Sequence, residues 1–268
     1  MTALTETSFD ALLHQALDGA LGPDPAAVRV AVAFRTQQAV RHDGRGTGYR
    51  NEVLSLRIGE AVGSCAVEPG ALPEEALDDC VGADVAQLLQ HPLLPVRVAA
   101  LDAYLMHAVP HGGEQVALPA GTSLEKSRVR ARAVVELLDV PEGSTVLVVG
   151  VVNSLLEALR SRGLRYVACD LKGGTTEWGE PVAVDALAAV DGCDALLVSG
   201  MTLGNGTFDA LRERAGGRPL VMFAQTGSAV LPHFLGHGVS AVCAEPYPFF
   251  WLDGGPGTVH RYRAGGVR

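Results

Sequence analysis

The sequence predicts an α/β protein: a Rossmann-like, doubly wound parallel sheet behind a smaller N-terminal α+β domain. Three observations carry this. Short apolar runs at Thr145–Val149, 195–198 and Leu220–Ala224, with weaker ones at 166–169 and Ala241–Ala244, are each followed by a turn and a helix-length segment. Such runs are what a parallel sheet covered on both faces requires. The region before residue 110 mixes helical and alternating patterns without that regular succession. Between them, residues 110–123 hold Pro110, Gly112, Gly113, Pro119 and Gly121, the composition of a linker. The expected domains are therefore 1–121 and 122–268.

In the first domain, Leu12, Leu13, Ala16, Leu17 and Ala20 recur at helical spacing over 9–21, and Gly22-Pro23-Asp24-Pro25 ends the helix. Val28, Val30, Val32 and Phe34 alternate as in a strand, and 38–41 is expected to pair back across Arg35-Thr36-Gln37. The polar, Gly-bearing stretch 42–49 reads as a loop, and 53–67 as short strands around Gly59 and Gly63. Residues 84–90 and 96–108 read as helices. The second is apolar nearly all round, which predicts burial. Thr122 or Ser123 is placed to cap the helix expected over 124–138.

Composition bounds the function. The chain has 268 residues, 48% hydrophobic and 19% charged, with net charge −9; its mean hydropathy is +0.21 and its pI near 5.3. That content excludes a disordered chain. The negative field argues against nucleic acid as a partner. No apolar run approaches the ~20 residues of a membrane span, so no membrane partner is expected. The start, MTALTETSFD, does not read as a signal peptide. Cys65, Cys80, Cys169, Cys193 and Cys243 are odd in number and widely spaced, which points to reduced thiols and a cytoplasmic location. A homo-oligomer is compatible with all of this.

In open α/β sheets, ligands sit beyond the carboxyl ends of the strands. After the first strand stands Gly150, followed by Val152 and Leu155 where a G-x-G-x-x-G turn has its other glycines. This argues against ordinary NAD or FAD binding. Asn153 opens the next helix, and Asp170 ends the second strand, where a ribose diol is often held; a solvated carboxylate or helix cap is the equal alternative. The segment 200–207 carries Gly200, Thr202, Gly204, Asn205, Gly206 and Thr207. Its amides are expected to be free to gather around a carboxylate or phosphate. Gln225 and Thr226, in the Gln225-Thr226-Gly227-Ser228 turn, carry a weaker version of the same expectation. The predicted ligand-binding set is thus Gly150, Asn153, Asp170, Gly200, Thr202, Asn205, Gly206, Thr207, Gln225 and Thr226. His107/His111 and His233/His237 stand four apart, but Pro110 and Gly236 place both pairs at helix ends, so neither is favoured as a metal site. In the first domain, Arg35, Arg41, His42, Arg45, Tyr49 and Arg50 form a basic patch that could fold over the second domain; a solvated hairpin surface is slightly preferred. No spacing demands a nucleophile or general base, and no G-x-S-x-G elbow or P-loop occurs, so no catalytic residue is assigned.

The stretch Leu196-Leu197-Val198-Ser199-Gly200-Met201-Thr202-Leu203-Gly204-Asn205-Gly206-Thr207 resembles the "TG-T-L-NGT" signature of the family described as "putative heavy-metal chelation". The run Leu220–Ala224, the Gln225-to-Ser228 turn and residues 234–239 resemble the same family. The regions 35–66 and 93–105 resemble the enolase N-terminal-like domain that precedes it there. The resemblance implies a Rossmann-like domain behind an enolase N-terminal-like domain, and a link to metal handling without an established reaction. Ser199 departs from the family's Thr, and Gln225-Thr226-Gly227-Ser228 from a Gly-Pro-Ser type turn.

The leading expectation is a cytoplasmic small-molecule-binding protein that takes a metal chelate or an amino-acid-like metabolite at the strand ends. The alternative is an enzyme using a nucleoside-bearing cofactor, S-adenosylmethionine ahead of NAD. A third is a structural protein whose polar turns only close the fold.

Overall fold

The computed structural model describes residues 8–46 and 48–265; the polar N-terminus read against a leader begins in residues 1–7, outside the described residues. The chain opens with α1 (Phe9–Leu17), capped by Ser8, whose Oγ accepts from the Ala11 amide at 3.1 Å. A three-stranded antiparallel sheet follows, β1 (Val32–Arg41), β2 (Gly48–Ile58) and β3 (Ala61–Val67), in that order. Two short helices, α2 (Ala76–Cys80) and α3 (Val85–Leu88), lead into α4 (Leu94–Ala108). Val96, Val98, Ala99, Ala100, Leu101 and Ala103 of α4 are all buried, as its all-round apolar pattern requires. It lies directly on β3. A Cβ on Gly63 would stand 2.0 Å from the Ala103 nitrogen and 2.4 Å from the Ala99 oxygen, so only glycine lets these backbones meet.

Two expectations for this unit are corrected. Arg35-Thr36-Gln37 is no turn: β1 runs straight through it, with Arg35 opposite Leu54 and Gln37 opposite Glu52. Those residues offer none of the Gly, Asn or Asp that a tight hairpin turn needs. The reversal occurs at His42-Asp43-Gly44-Arg45 instead, where the Arg45 amide donates to the His42 carbonyl at 3.1 Å and Gly44 has φ 74°. The expected loop therefore shrinks, and Gly48 and Tyr49 become strand.

The larger sheet has seven strands: β4 (Glu114–Leu118), β5 (Thr145–Val149), β6 (Arg165–Cys169), β7 (Ala195–Ser199), β8 (Leu220–Ala224), β9 (Ala241–Ala244) and β10 (Gly257–Arg263). Their order is β4-β10-β9-β8-β7-β5-β6. Strands β6, β5, β7, β8 and β9 are parallel, and β10 and β4 add an antiparallel edge. The helices are α5 (Ser123–Val135), α6 (Asn153–Ser161), the short α7 (Ala186–Ala189) and α8 (Met201–Gly204), and α9 (Phe208–Ala215). Thr122 caps α5 through a capping box with Glu125. The stretch expected as linker thus supplies the strand β4 to the larger sheet.

Alternation along the buried strands sends side chains to opposite faces. Val146, Val148, Leu197 and Val221 pack with α5 and α6. Leu147, Leu196, Val198 and Met222 join a core that continues into α4 and the small sheet. The small unit is therefore packed through apolar side chains onto one face of the larger sheet. No helix among the described residues is long and apolar enough to cross a membrane.

Candidate functional site

From β5 the chain passes to β6 on one side and then to β7 on the other, so the strand order reverses between β5 and β7. A crevice opens at such a point because successive crossovers leave in opposite directions. Here Gly150, with φ 91°, ends β5; a Cβ on it would stand 2.7 Å from Ser199 Cβ at the end of β7. A cavity of about 820 Å³ lies over this point, between the strand ends and the β1–β2 hairpin.

Its floor comes from the sheet and from α5. Arg130 of α5 is 5% exposed and Glu245, just past β9, is 2% exposed. Arg130 Nε donates to Glu245 Oε2; Gln225 Nε2 donates to the same oxygen at 2.9 Å, and the Phe250 amide to Oε1 at 2.7 Å. The Arg130 guanidinium lies 5.9 Å from the Phe223 ring centre and 5.8 Å from that of Phe250. Phe249, Phe250 and Trp251 extend an aromatic wall, and Trp251 Nε1 donates to Gln38 Oε1 of the roof at 2.7 Å.

The roof is the hairpin. Arg41, His42, Tyr49, Arg50 and Asn51 face the cavity. Polar contacts tie it down. His42 Nδ1 and Ser123 Oγ are 2.9 Å apart, and Tyr49 Oη accepts from the Asn153 amide at 2.8 Å. Arg45 pairs with Glu157 of α6 and with Glu177. Burial, then the nearby Arg45 charge, draws His42 below the usual imidazole value, which favours its neutral form. Burial pushes the Tyr49 hydroxyl upward, so it stays protonated. At the mouth, Lys172 Nζ meets Glu68 at 3.1 Å.

Beneath the cavity the two units are joined by backbone and side-chain hydrogen bonds. Asp102 of α4 is 1% exposed and accepts from the Ser64 amide at 2.9 Å and the Ala229 amide at 2.7 Å. Thr226 Oγ1 accepts from Ala66 N at 2.8 Å, and Gly227 N donates to Ser64 O at 3.1 Å.

Of the predicted ligand-binding residues, Gly150, Asn153, Asp170, Gln225 and Thr226 line the cavity. Asp170 already accepts from Val151 N at 3.2 Å and Lys172 N at 3.1 Å, so it closes the β5–α6 turn as well as facing the cavity. The other five, Gly200, Thr202, Asn205, Gly206 and Thr207, are not among its lining residues. Nor are four of their amides free as expected. Gly200 N donates to Phe223 O, Asn205 N to Met201 O, Gly206 N to Leu203 O, and Thr207 N to Thr202 O and Asn205 Oδ1. The glycines serve packing: a Cβ on Gly204 would stand 2.6 Å from Cys65 Sγ, and one on Gly200 2.3 Å from Thr226 O. The segment is the seam against β3.

Arg41, His42, Tyr49 and Arg50, read mainly as a solvated hairpin, face the cavity; Arg45 latches the hairpin, and Arg35 turns back to Glu52 within its own unit. Arg130, Glu245 and the aromatic wall were not anticipated. The signal for Arg130 was present. Ser127, Arg130, Ala131 and Val134 share one buried face of α5, so a charge sits at a core position of the helical repeat.

Among the described residues no group of three His, Cys, Asp or Glu side chains is placed to hold a metal ion. His111 bonds Tyr262 through Nδ1 at 2.7 Å and stacks on His260 at 4.7 Å; burial, then the His260 charge, draws it down to about 3. All five cysteines are buried and unbridged.

The DUF364 family model, described as "putative heavy-metal chelation", matches residues 133–244. The fold is similar to that of a DUF364 protein of unknown function from Desulfitobacterium hafniense, at 14% identity and TM-score 0.60, over 96% of this chain and 100% of that one. It is also similar to one from Pyrococcus horikoshii, at 13% identity and TM-score 0.54, over 94% and 99%. No curated protein matches the sequence.

Proposed function

With residues 133–244 matching the DUF364 family model, we propose that the protein is a cytoplasmic small-molecule-binding protein whose ligand, a metal chelate or an amino-acid-like metabolite, enters the cavity as an anion. One observation carries this reading. Arg41, Arg50, Arg130 and Lys172 converge on one cavity against the acids Glu68 and Asp170, in a chain of net charge −9. A local reversal of sign in a low-dielectric cleft concentrates anions. The aromatic wall supplies apolar area for the rest of the molecule. Because no three protein ligands gather here, a metal would arrive with its coordination sphere supplied by the chelator.

Equilibrium dialysis with Ni²⁺ or Zn²⁺, alone and with citrate, tests this. Retention of metal is expected only in the presence of citrate. The double substitution R41Q/R50Q should weaken it a hundredfold or more, since each charge-assisted contact is worth about 1.5–3 kcal/mol and about 1.4 kcal/mol is tenfold. Equal retention of the bare metal, or none under either condition, removes the reading.

A second reading rests on Asp170 beside Gly150 at the ends of adjacent strands, both lining the cavity: an enzyme that binds S-adenosylmethionine, with Asp170 on the ribose. Calorimetry separates the two. Asp170→Ala abolishes S-adenosylmethionine binding under this reading and has a mild effect on chelate binding under the first. Absence of S-adenosylmethionine binding to the wild type eliminates the second.

A further inference from the structure

We propose that Arg130 is a carboxylate subsite on the cavity floor, with Glu245 as its positioning residue. The inference rests on the reading of the cavity as a small-molecule site. Arg130 is deeply buried, yet it spends only its Nε on Glu245. Neither Nη nitrogen bonds any described residue, and neither is sealed away from the cavity that Arg130 lines. A guanidinium carries five N–H donors, and buried donors are almost always paired. Four of them here call for an acceptor that no described residue supplies.

The surroundings fix that fork. Glu245 is itself held at three points, by Arg130, Gln225 and the Phe250 amide. The Phe223 and Phe250 rings flank the guanidinium at nearly equal distance. A buried pair serving stability alone could be replaced by apolar side chains with little loss. This one is instead pre-organised with its open edge toward the cavity, the arrangement that grips a planar carboxylate at two points.

Charge decides between carboxylate and phosphate. Arg130 and Glu245 sum to zero, so a carboxylate monoanion leaves one net negative charge on the floor, whereas a phosphate dianion leaves two. Glu245 thereby tunes the subsite toward carboxylates.

The test uses the full chain, calorimetry and ligand-observed NMR, with benzoate, acetate and inorganic phosphate as probes. The wild type is expected to bind the carboxylates more tightly than phosphate. R130K, which keeps the charge beside Glu245 and so protects the fold, should weaken the carboxylates tenfold or more with an unchanged circular dichroism spectrum. E245Q should move the preference toward phosphate, because it leaves the Arg130 charge unbalanced; a purely structural role for Glu245 would lower both affinities together. Carboxylate binding that survives in R130K, or a preference unchanged in E245Q, overturns the proposal. If R41Q/R50Q loses binding while R130K keeps it, the cavity reading stands and the subsite does not. If no probe binds the wild type, the subsite falls, and citrate-dependent metal retention alone decides the cavity reading.

Discussion

Replacing Asp102 by asparagine tests the joint that sets the small unit over the sheet. Burial, the largest influence, pushes the Asp102 carboxyl from 3.8 up to about 7, against the pull of the Ser64, Ala229 and Val230 amides and the Ser228 hydroxyl. The folded state therefore holds this proton more tightly than the unfolded chain. The stability so gained is present in full below pH 3.8 and is lost as pH rises through about 7. Each pH unit in that window is worth about 1.4 kcal/mol, so from pH 5 to 7 the loss is on the order of 3 kcal/mol. Asparagine does not titrate. It also turns an amide NH₂ toward one of the two N–H groups the carboxylate served, which costs about 1–3 kcal/mol at every pH. His111, His42 and His260 act in the opposite sense. Burial holds all three below the usual imidazole value, so their contribution is lost as pH falls. They are common to both proteins, and the difference between wild type and D102N isolates Asp102. Urea unfolding of both at pH 5, 6, 7 and 8 should show the wild-type advantage shrinking by about 3 kcal/mol toward alkaline pH. A constant gap, or one that widens, refutes the reasoning.

Gly63→Ala places a Cβ 2.0 Å from the Ala103 nitrogen; neither backbone can yield, and a loss of at least about 3 kcal/mol is expected in urea unfolding. Asn205→Ala removes the acceptor that Thr207 uses at 3.1 Å from its amide and 2.7 Å from its hydroxyl. It should cost about 1 kcal/mol and leave citrate-dependent metal retention as in the wild type; a loss of retention at full stability would return 200–207 to the site. Arg45→Ala frees the hairpin from Glu157 and Glu177. Amide hydrogen exchange should rise at the tips of β1 and β2 and stay unchanged in β3, and uniform exchange along β2 and β3 would contradict a latch.

The signals differed in range. Strands β5, β7, β8 and β9 were legible because they are buried on both faces and read as apolar runs, most clearly in Thr145–Val149 and Leu220–Ala224, whereas the edge strand β6 gave only a weak signal. Strands β4 and β10 were not. β4 is the edge strand and β10 lies next to it with few fully buried side chains, and Glu114, Gln115, Arg261 and Arg263 break the pattern. The hairpin turn was misplaced because the alternation of β1 continues past Phe34 into the polar Arg35-Thr36-Gln37, which looks like an interruption. Half of the predicted ligand-binding residues reach the cavity, namely those that directly follow β5, β6 and β8. The stretch after β7 has the same sequence character, yet the amides of Gly200, Asn205, Gly206 and Thr207 are bonded to β8 or within its own turn, and Gly204 packs against β3.

The one-dimensional pattern of apolar runs, glycines and prolines was enough to determine an α/β chain with a crevice at the carboxyl ends of its strands, since strand burial and turn chemistry are local. Which polar residues meet in that crevice was decided by tertiary structure alone. Arg130, which lines it, and Glu245, which holds Arg130 from outside the lining, are far apart in the chain, and the roof lies upstream of the whole larger sheet. Their convergence depends on packing between elements, which no local periodicity encodes.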